Sequence, residues 1–237
     1  MPAPIVVMPG TGSDADYARR AFGPAAAELG RPLVALQPEE DLVGGYLRVL
    51  DRLAADAVGE PILLGGVSIG ASIAAKWAVA AGPDRCAGVW AALPPWSGPP
   101  EASPAAASAT ATADALERDG LDATVTAMAA GSPKWLADEL SRSWRELYPG
   151  LIGQLRAAAA LTGPTAPQLA TLRVPLAVVV STDDPIHPAD VGLAWAAAAP
   201  RSAVGRTTLD AWGADPALLG RLAARAWAQV CERGPVG

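Results

Sequence analysis

Short, strongly apolar runs alternate with segments of helical spacing along this chain, and that alternation restricts the fold more than any other feature. The runs fall at residues 5–8, 33–36, 62–67, 88–93 and 174–181, with a weaker one at 201–209. Val178-Val179-Val180, at the centre of the fifth, suits a strand buried on both faces. Residues 43–55 place Leu47, Leu50 and Leu53 at helical spacing, 71–81 are Ala-rich with Ile73 and Trp77 on one face, and 216–230 form a closing helical pattern. Strands that each return through a helix predict an α/β domain, a mostly parallel sheet of about six strands with helices on both faces. At 237 residues, one domain with a well-buried core accounts for residues 1–237.

Between the fourth and fifth runs the sequence changes character. Residues 97–111 are rich in Pro, Ala, Ser and Thr and read as a loop or an ill-defined helix start. Helical patterns follow at 113–118, 122–130, 133–147 and 151–161. The third is amphipathic, with Leu136, Leu140, Trp144 and Leu147 on one stripe after Ser132-Pro133. Without a strand signal, residues 95–165 are expected to form a helical cap inserted into the sheet domain, too short to bury a core of its own.

Charge and composition remove several function classes. A formal net charge of −6 opposes a nucleic-acid or anionic-membrane partner, because both require a basic surface. No run approaches the roughly 20 apolar residues of a membrane span. Met1-Pro2-Ala3-Pro4 has no basic stretch leading into an apolar core, so a cytoplasmic protein without a leader is expected. Cys86 and Cys231 stand far apart in apolar surroundings and are expected to be buried free thiols. With a single histidine and no carboxylate–histidine cluster at i, i+4, no zinc or di-iron site is expected. Gly10-Thr11-Gly12 lacks the third glycine of a dinucleotide fingerprint, and no P-loop follows it. The expected partner is therefore a small-molecule substrate, with no cofactor. Oligomeric state carries no signal.

Gly66-Val67-Ser68-Ile69-Gly70 leaves the third strand and enters a small-residue helix. A glycine on each side permits the sharp turn that exposes a serine at a helix N-terminus, the context required of a nucleophile elbow. The earlier turn, Pro9-Gly10-Thr11-Gly12-Ser13, precedes a helix that Ser13 can cap, with Asp14 and Asp16 in its first turn.

With these motifs in their order, the chain resembles the α/β-hydrolase superfamily over nearly its whole length, as a compact version that starts at the third of the usual eight strands. The resemblance implies a serine-dependent hydrolase of an ester, thioester or similar acyl bond, with Ser68 as nucleophile. It also implies an oxyanion hole from the N–H groups of Thr11 and Ile69, with Pro9 where many members have histidine. Asp184-Pro185-Ile186-His187-Pro188 has the family's spacing of an acid four positions before a proline, which makes Asp184 the implied acid and leaves Asp183 as a helper or substitute.

The base breaks the pattern. Family members place histidine after a glycine ahead of the closing helix, and here Gly213 is followed by Ala214. Three readings follow. His187, three residues after Asp184, has taken over as base. Alternatively, His187 binds or protonates substrate in a lyase, isomerase or epimerase. In the third, the site is inactive and the fold binds a partner.

Eight tryptophans against one phenylalanine point to space-filling in an Ala-rich chain, as at Trp77 and Trp227. Trp96, just beyond the fourth strand, Trp135, in the first turn of the amphipathic helix, and Trp212, beside the vacant base position, are candidates for a substrate wall. Such a wall favours an apolar or aromatic acyl group.

Overall fold

The structure is a computed structural model that describes residues 2–57 and 59–234. Met1, the first residue of the stretch read above for a leader, lies outside the described residues. Strands β1 (Ile5–Met8), β2 (Leu33–Ala35), β3 (Ile62–Val67), β4 (Cys86–Ala92), β5 (Leu176–Ser181) and β6 (Ser202–Thr207) form one sheet in the order β2-β1-β3-β4-β5-β6. Every strand pairing among the described residues is parallel.

The strands earn their runs of apolar residues by being covered twice. Val6, Met8, Leu64, Val89 and Val178 face one core, against α2 (Leu42–Asp56) and α3 (Ile69–Ala81). Their neighbours Ile5, Val7, Leu63, Trp90 and Val179 face the other, against α1 (Ala15–Glu28) and α11 (Ala217–Glu232). The period of two sends alternate side chains to opposite faces, so a run buried on both sides cannot alternate with polar residues. Trp90 is fully buried and stacks on Phe22 at 6.4 Å between ring centroids.

Between β4 and β5 run helices α4 (Pro104–Asp119), α5 (Leu121–Ala130), α6 (Lys134–Leu147), α7 (Leu151–Ala159) and α8 (Ala166–Ala170). The segment read as a loop or weak helix start is mostly regular helix. Ser103 caps α4, its hydroxyl accepting the Ala106 N–H at 3.3 Å, Pro104 takes the first turn, and the alanines that follow have the highest helix propensity. The segment also has a small core, with Ala113, Leu116, Trp144, Leu147, Leu151 and Leu155 in one cluster.

Other local readings shift. Asp14, not Ser13, caps α1, accepting the Tyr17 N–H at 3.0 Å. The last strand ends at Thr207, because Thr208 caps the short helix α10 (Leu209–Ala214). Helix α9 (Ala189–Ala198) was unreadable in the sequence, since its Ala-rich stretch has no apolar stripe to mark it. Cys86 and Cys231 are free thiols, but Cys231 is exposed, at the outer end of α11 where the helix leaves the core. Among the described residues no helix is long and apolar enough to cross a membrane.

Candidate active site

The carboxyl ends of parallel strands gather the loops that carry chemistry. The turns after β1, β3, β5 and β6 all open at this edge, beside the point where the chain crosses from β2 and β1 to β3, which is where open α/β sheets bind ligands.

Ser68 follows β3 directly and is 8% exposed. Its backbone has φ 54° and ψ −115°, a conformation that costs a non-glycine residue about 1–3 kcal/mol and persists only where its surroundings enforce it. Here they do. Its N–H donates to the Ala92 carbonyl at 2.9 Å, tying the turn to β4. A Cβ on Gly66 would run into the Gly70 backbone, and one on Gly70 would lie 2.6 Å from the Met8 carbonyl oxygen. The glycines thus let α3 start against two strands and push the serine side chain outward.

His187 and Asp184 come from the loop after β5. The His187 ring places Nε2 2.9 Å from Ser68 Oγ and Nδ1 2.8 Å from Asp184 Oδ2. Asp184 Oδ1 accepts the N–H groups of Ile186 at 2.8 Å and His187 at 3.2 Å, so the loop wraps its own acid. The side chain of Asp184 is 4% exposed and that of His187 16%. Burial pushes the Asp184 carboxyl up, but the hydrogen bond and attraction to His187 and the two backbone donors outweigh it and hold the carboxyl below the ordinary 3.8. An ionised Asp184 accepts from an Nδ1–H, and in that tautomer of the neutral ring the Nε2 lone pair faces the serine.

Asp183 does not contact this chain of bonds. It accepts the Ser181 hydroxyl at 3.1 Å and the Leu209 N–H at 2.6 Å, fastening the loop after β5 to the start of α10. Ala214, where the family histidine is expected, ends α10 with its side chain exposed.

Ile69 opens α3 and Thr11 lies in the turn after β1. Among the described residues neither N–H donates to another protein atom. Gly10 brings that turn against the serine, since a Cβ there would lie 3.5 Å from Ser68 Cβ. The N-terminus of α3 adds its dipole at the same place.

A cavity of about 430 Å³ opens over Ser68 and His187. Trp96, Trp135 and Trp212 all line it, as does Trp144, a member of the apolar stripe of α6. Trp135 and Trp212 meet edge to face at 4.6 Å, and Trp96 is fixed by its indole N–H on the Leu161 carbonyl at 3.0 Å. Met128, Leu136, Leu140, Leu155 and Ile186 complete a largely apolar wall drawn from the helical segment and the loop after β5. Among the described residues no three His, Cys, Asp or Glu side chains are grouped to hold a metal ion.

No protein-family profile matches the chain, and no curated protein matches it. Solved structures do. A hydrolase from Oleispira antarctica is similar at a TM-score of 0.71 and 16% identity, covering 94% of this chain and 89% of that one. A bromoperoxidase from Bacillus anthracis gives 0.69 and 18%, covering 98% and 91%. A thermophilic esterase from Thermogutta terrifontis gives 0.67 and 17%, covering 98% and 90%. With its parallel sheet and serine turn, the chain has the fold of the α/β-hydrolase superfamily.

Proposed function

We propose that the protein is a serine-dependent hydrolase of small apolar esters, thioesters or related acyl bonds, with His187 as a base relocated to the acid loop. The observation that carries this reading is the unbroken chain Asp184–His187–Ser68, with both links within 3 Å. Nucleophile, base and orienter are defined by geometry and role, not by position in the sequence.

In the proposed reaction Ser68 Oγ attacks the substrate carbonyl carbon as His187 Nε2 takes its proton. The carbonyl oxygen becomes an oxyanion held by the Thr11 and Ile69 N–H groups and the α3 N-terminus. Asp184 stabilises the imidazolium and keeps the ring aligned. His187 then gives the proton to the departing alkoxide or thiolate, leaving an acyl-serine. A water, deprotonated by the same nitrogen, attacks the acyl carbon; collapse of that second tetrahedral intermediate breaks the bond to Ser68 Oγ, which takes the proton back from His187 as the acid leaves. Residues 95–165 act as a cap whose tryptophans and aliphatic side chains take the acyl group and exclude water. The hydrolase and esterase among the structural neighbours agree with this reaction class.

Fluorophosphonate labelling followed by peptide mapping tests the reading. A single adduct on Ser68 in folded protein at neutral pH, abolished in His187→Ala, is the expected result. An unlabelled wild-type protein overturns the hydrolase and leaves a non-hydrolytic use of the pocket.

A further inference from the structure

The turn that carries Thr11 contains two glycines, Gly10 and Gly12, the second at φ +75°. Such a turn has little intrinsic stiffness, yet an oxyanion donor works only if its N–H already points at the charge before that charge forms. Helix α6 supplies what the turn lacks. The Ser143 hydroxyl, fully buried, donates to the Gly12 carbonyl at 2.6 Å. The Ser13 N–H, in the same peptide unit as that carbonyl, donates to the Gly10 carbonyl at 3.1 Å. The Thr11 N–H, in the same peptide unit as the Gly10 carbonyl, points the opposite way. Because a trans peptide is planar, fixing one carbonyl fixes the N–H on its other side. Ser143 therefore controls Thr11 through two peptide units, and aligned hydrogen bonds of this kind polarise each other.

The flanking residues hold the same contact. Arg142 grips Asp14, the α1 cap, through a bidentate pair at 2.6 and 3.0 Å, and Asp14 is 1% exposed. Trp144 packs so closely on Gly12 that a Cβ there would lie 2.6 Å from its Nε1, so the glycine is needed for space as well as for its φ.

We propose that Ser143, braced by Arg142, is a positioning residue that orients the Thr11 N–H, so that the oxyanion hole is complete only while α6 is seated on the turn after β1. This rests on the hydrolase reading above. It assigns the cap a part in the chemistry besides enclosing substrate.

Ser143→Ala removes one hydroxyl and leaves the pocket wall intact. With a p-nitrophenyl alkanoate, kcat is expected to fall about ten- to a hundredfold while KM stays within about twofold, since the loss falls on the transition state. The inhibition constant of an alkyl boronic acid, which forms a tetrahedral anionic adduct on serine, should rise by the same factor as kcat/KM falls. Binding of the product alcohol should not change. Arg145→Ala, on the same helix and paired with Asp122 of α5, is the control and should keep wild-type kcat. If the alanine variant does not accumulate as folded protein, Ser143→Cys, with similar volume and a weaker donor, is read in the same way.

A variant with wild-type kcat and boronate affinity, made from an enzyme labelled on Ser68, overturns the positioning role and leaves the hydrolase standing. So does a variant that loses ground-state binding as much as kcat, because that marks a packing role alone. A wild-type protein with neither turnover nor an adduct on Ser68 overturns the hydrolase reading, and this proposal with it.

Discussion

The turns after β5 and β6 leave adjacent strands at the same edge of the sheet and end very differently. The first packs an acid and an imidazole into four residues, Asp184 to His187, with the acid's own loop N–H groups folded back onto it. The second runs straight into α10 and ends in exposed Ala214. Asp183 bonds the two turns together through the Leu209 N–H, so the empty turn still braces the occupied one. An imidazole on the turn after β5 thus reaches the serine at hydrogen-bond distance, with no histidine on the turn after β6. Neighbouring parallel strands sit under 5 Å apart, so a histidine moved by one strand can still reach.

On the proposed mechanism, loss of the His187 ring has the largest effect. His187→Ala is expected to lower kcat by about ten thousandfold or more, as loss of a triad member does. The double variant His187→Ala/Ala214→His, which returns the ring to the usual place, should not recover even a tenth of wild-type activity, because that side chain faces solvent at the end of α10. Ester hydrolysis with a p-nitrophenyl alkanoate reads both. Substantial recovery in the double variant would show the two turns to be interchangeable.

The adjacent aspartates should differ next. Asp184→Asn should cost about ten thousandfold in kcat by losing the acceptor that sets the tautomer. Asp183→Asn should keep kcat within about tenfold while lowering the melting temperature, since it weakens a charge-assisted bond to a backbone N–H worth about 1.5–3 kcal/mol. Equal rate losses in the two variants would mean that both carboxyls serve the histidine.

A smaller effect lies in stability at low pH. The Asp184 carboxyl is held below 3.8, so the native state binds protons less readily than the unfolded chain does. Its contribution to stability is complete above the unfolded value, about 3.9, and is lost as pH falls through the lowered folded value. Melting temperatures measured from pH 6 downward should therefore drop more steeply below about pH 4 in the wild type than in Asp184→Asn. Asp14, buried yet drawn below its ordinary value by Arg142 and the Tyr17 N–H, should give a second, similar loss that Asp14→Asn removes.

The least effect is expected at the aromatic wall. Trp135→Ala removes one half of the edge-to-face pair with Trp212 and should raise KM several-fold for long acyl chains, with little change for acetyl esters. A uniform loss across chain lengths would mean that Trp135 packs the fold and does not meet substrate.

Much of this molecule is legible in its sequence. Strands buried on both faces are apolar at nearly every position, so residues 62–67 and 174–181 stand out, and the glycine–serine–glycine turn follows the first of them directly. Helices α4 and α9 were hidden because alanine suits a helix on any face and marks no stripe. Trp144 read as one member of an apolar stripe, and its place against Gly12 had no local signal.

The parallel sheet, the serine turn and the missing histidine after Gly213 can all be read from residues close together in the chain. That His187 meets Ser68, and that Ser143 bonds to the turn carrying Thr11, follows from packing alone. Those contacts join residues more than a hundred positions apart. Their distances are set by how strands and helices pack, a quantity that no local pattern of residues encodes.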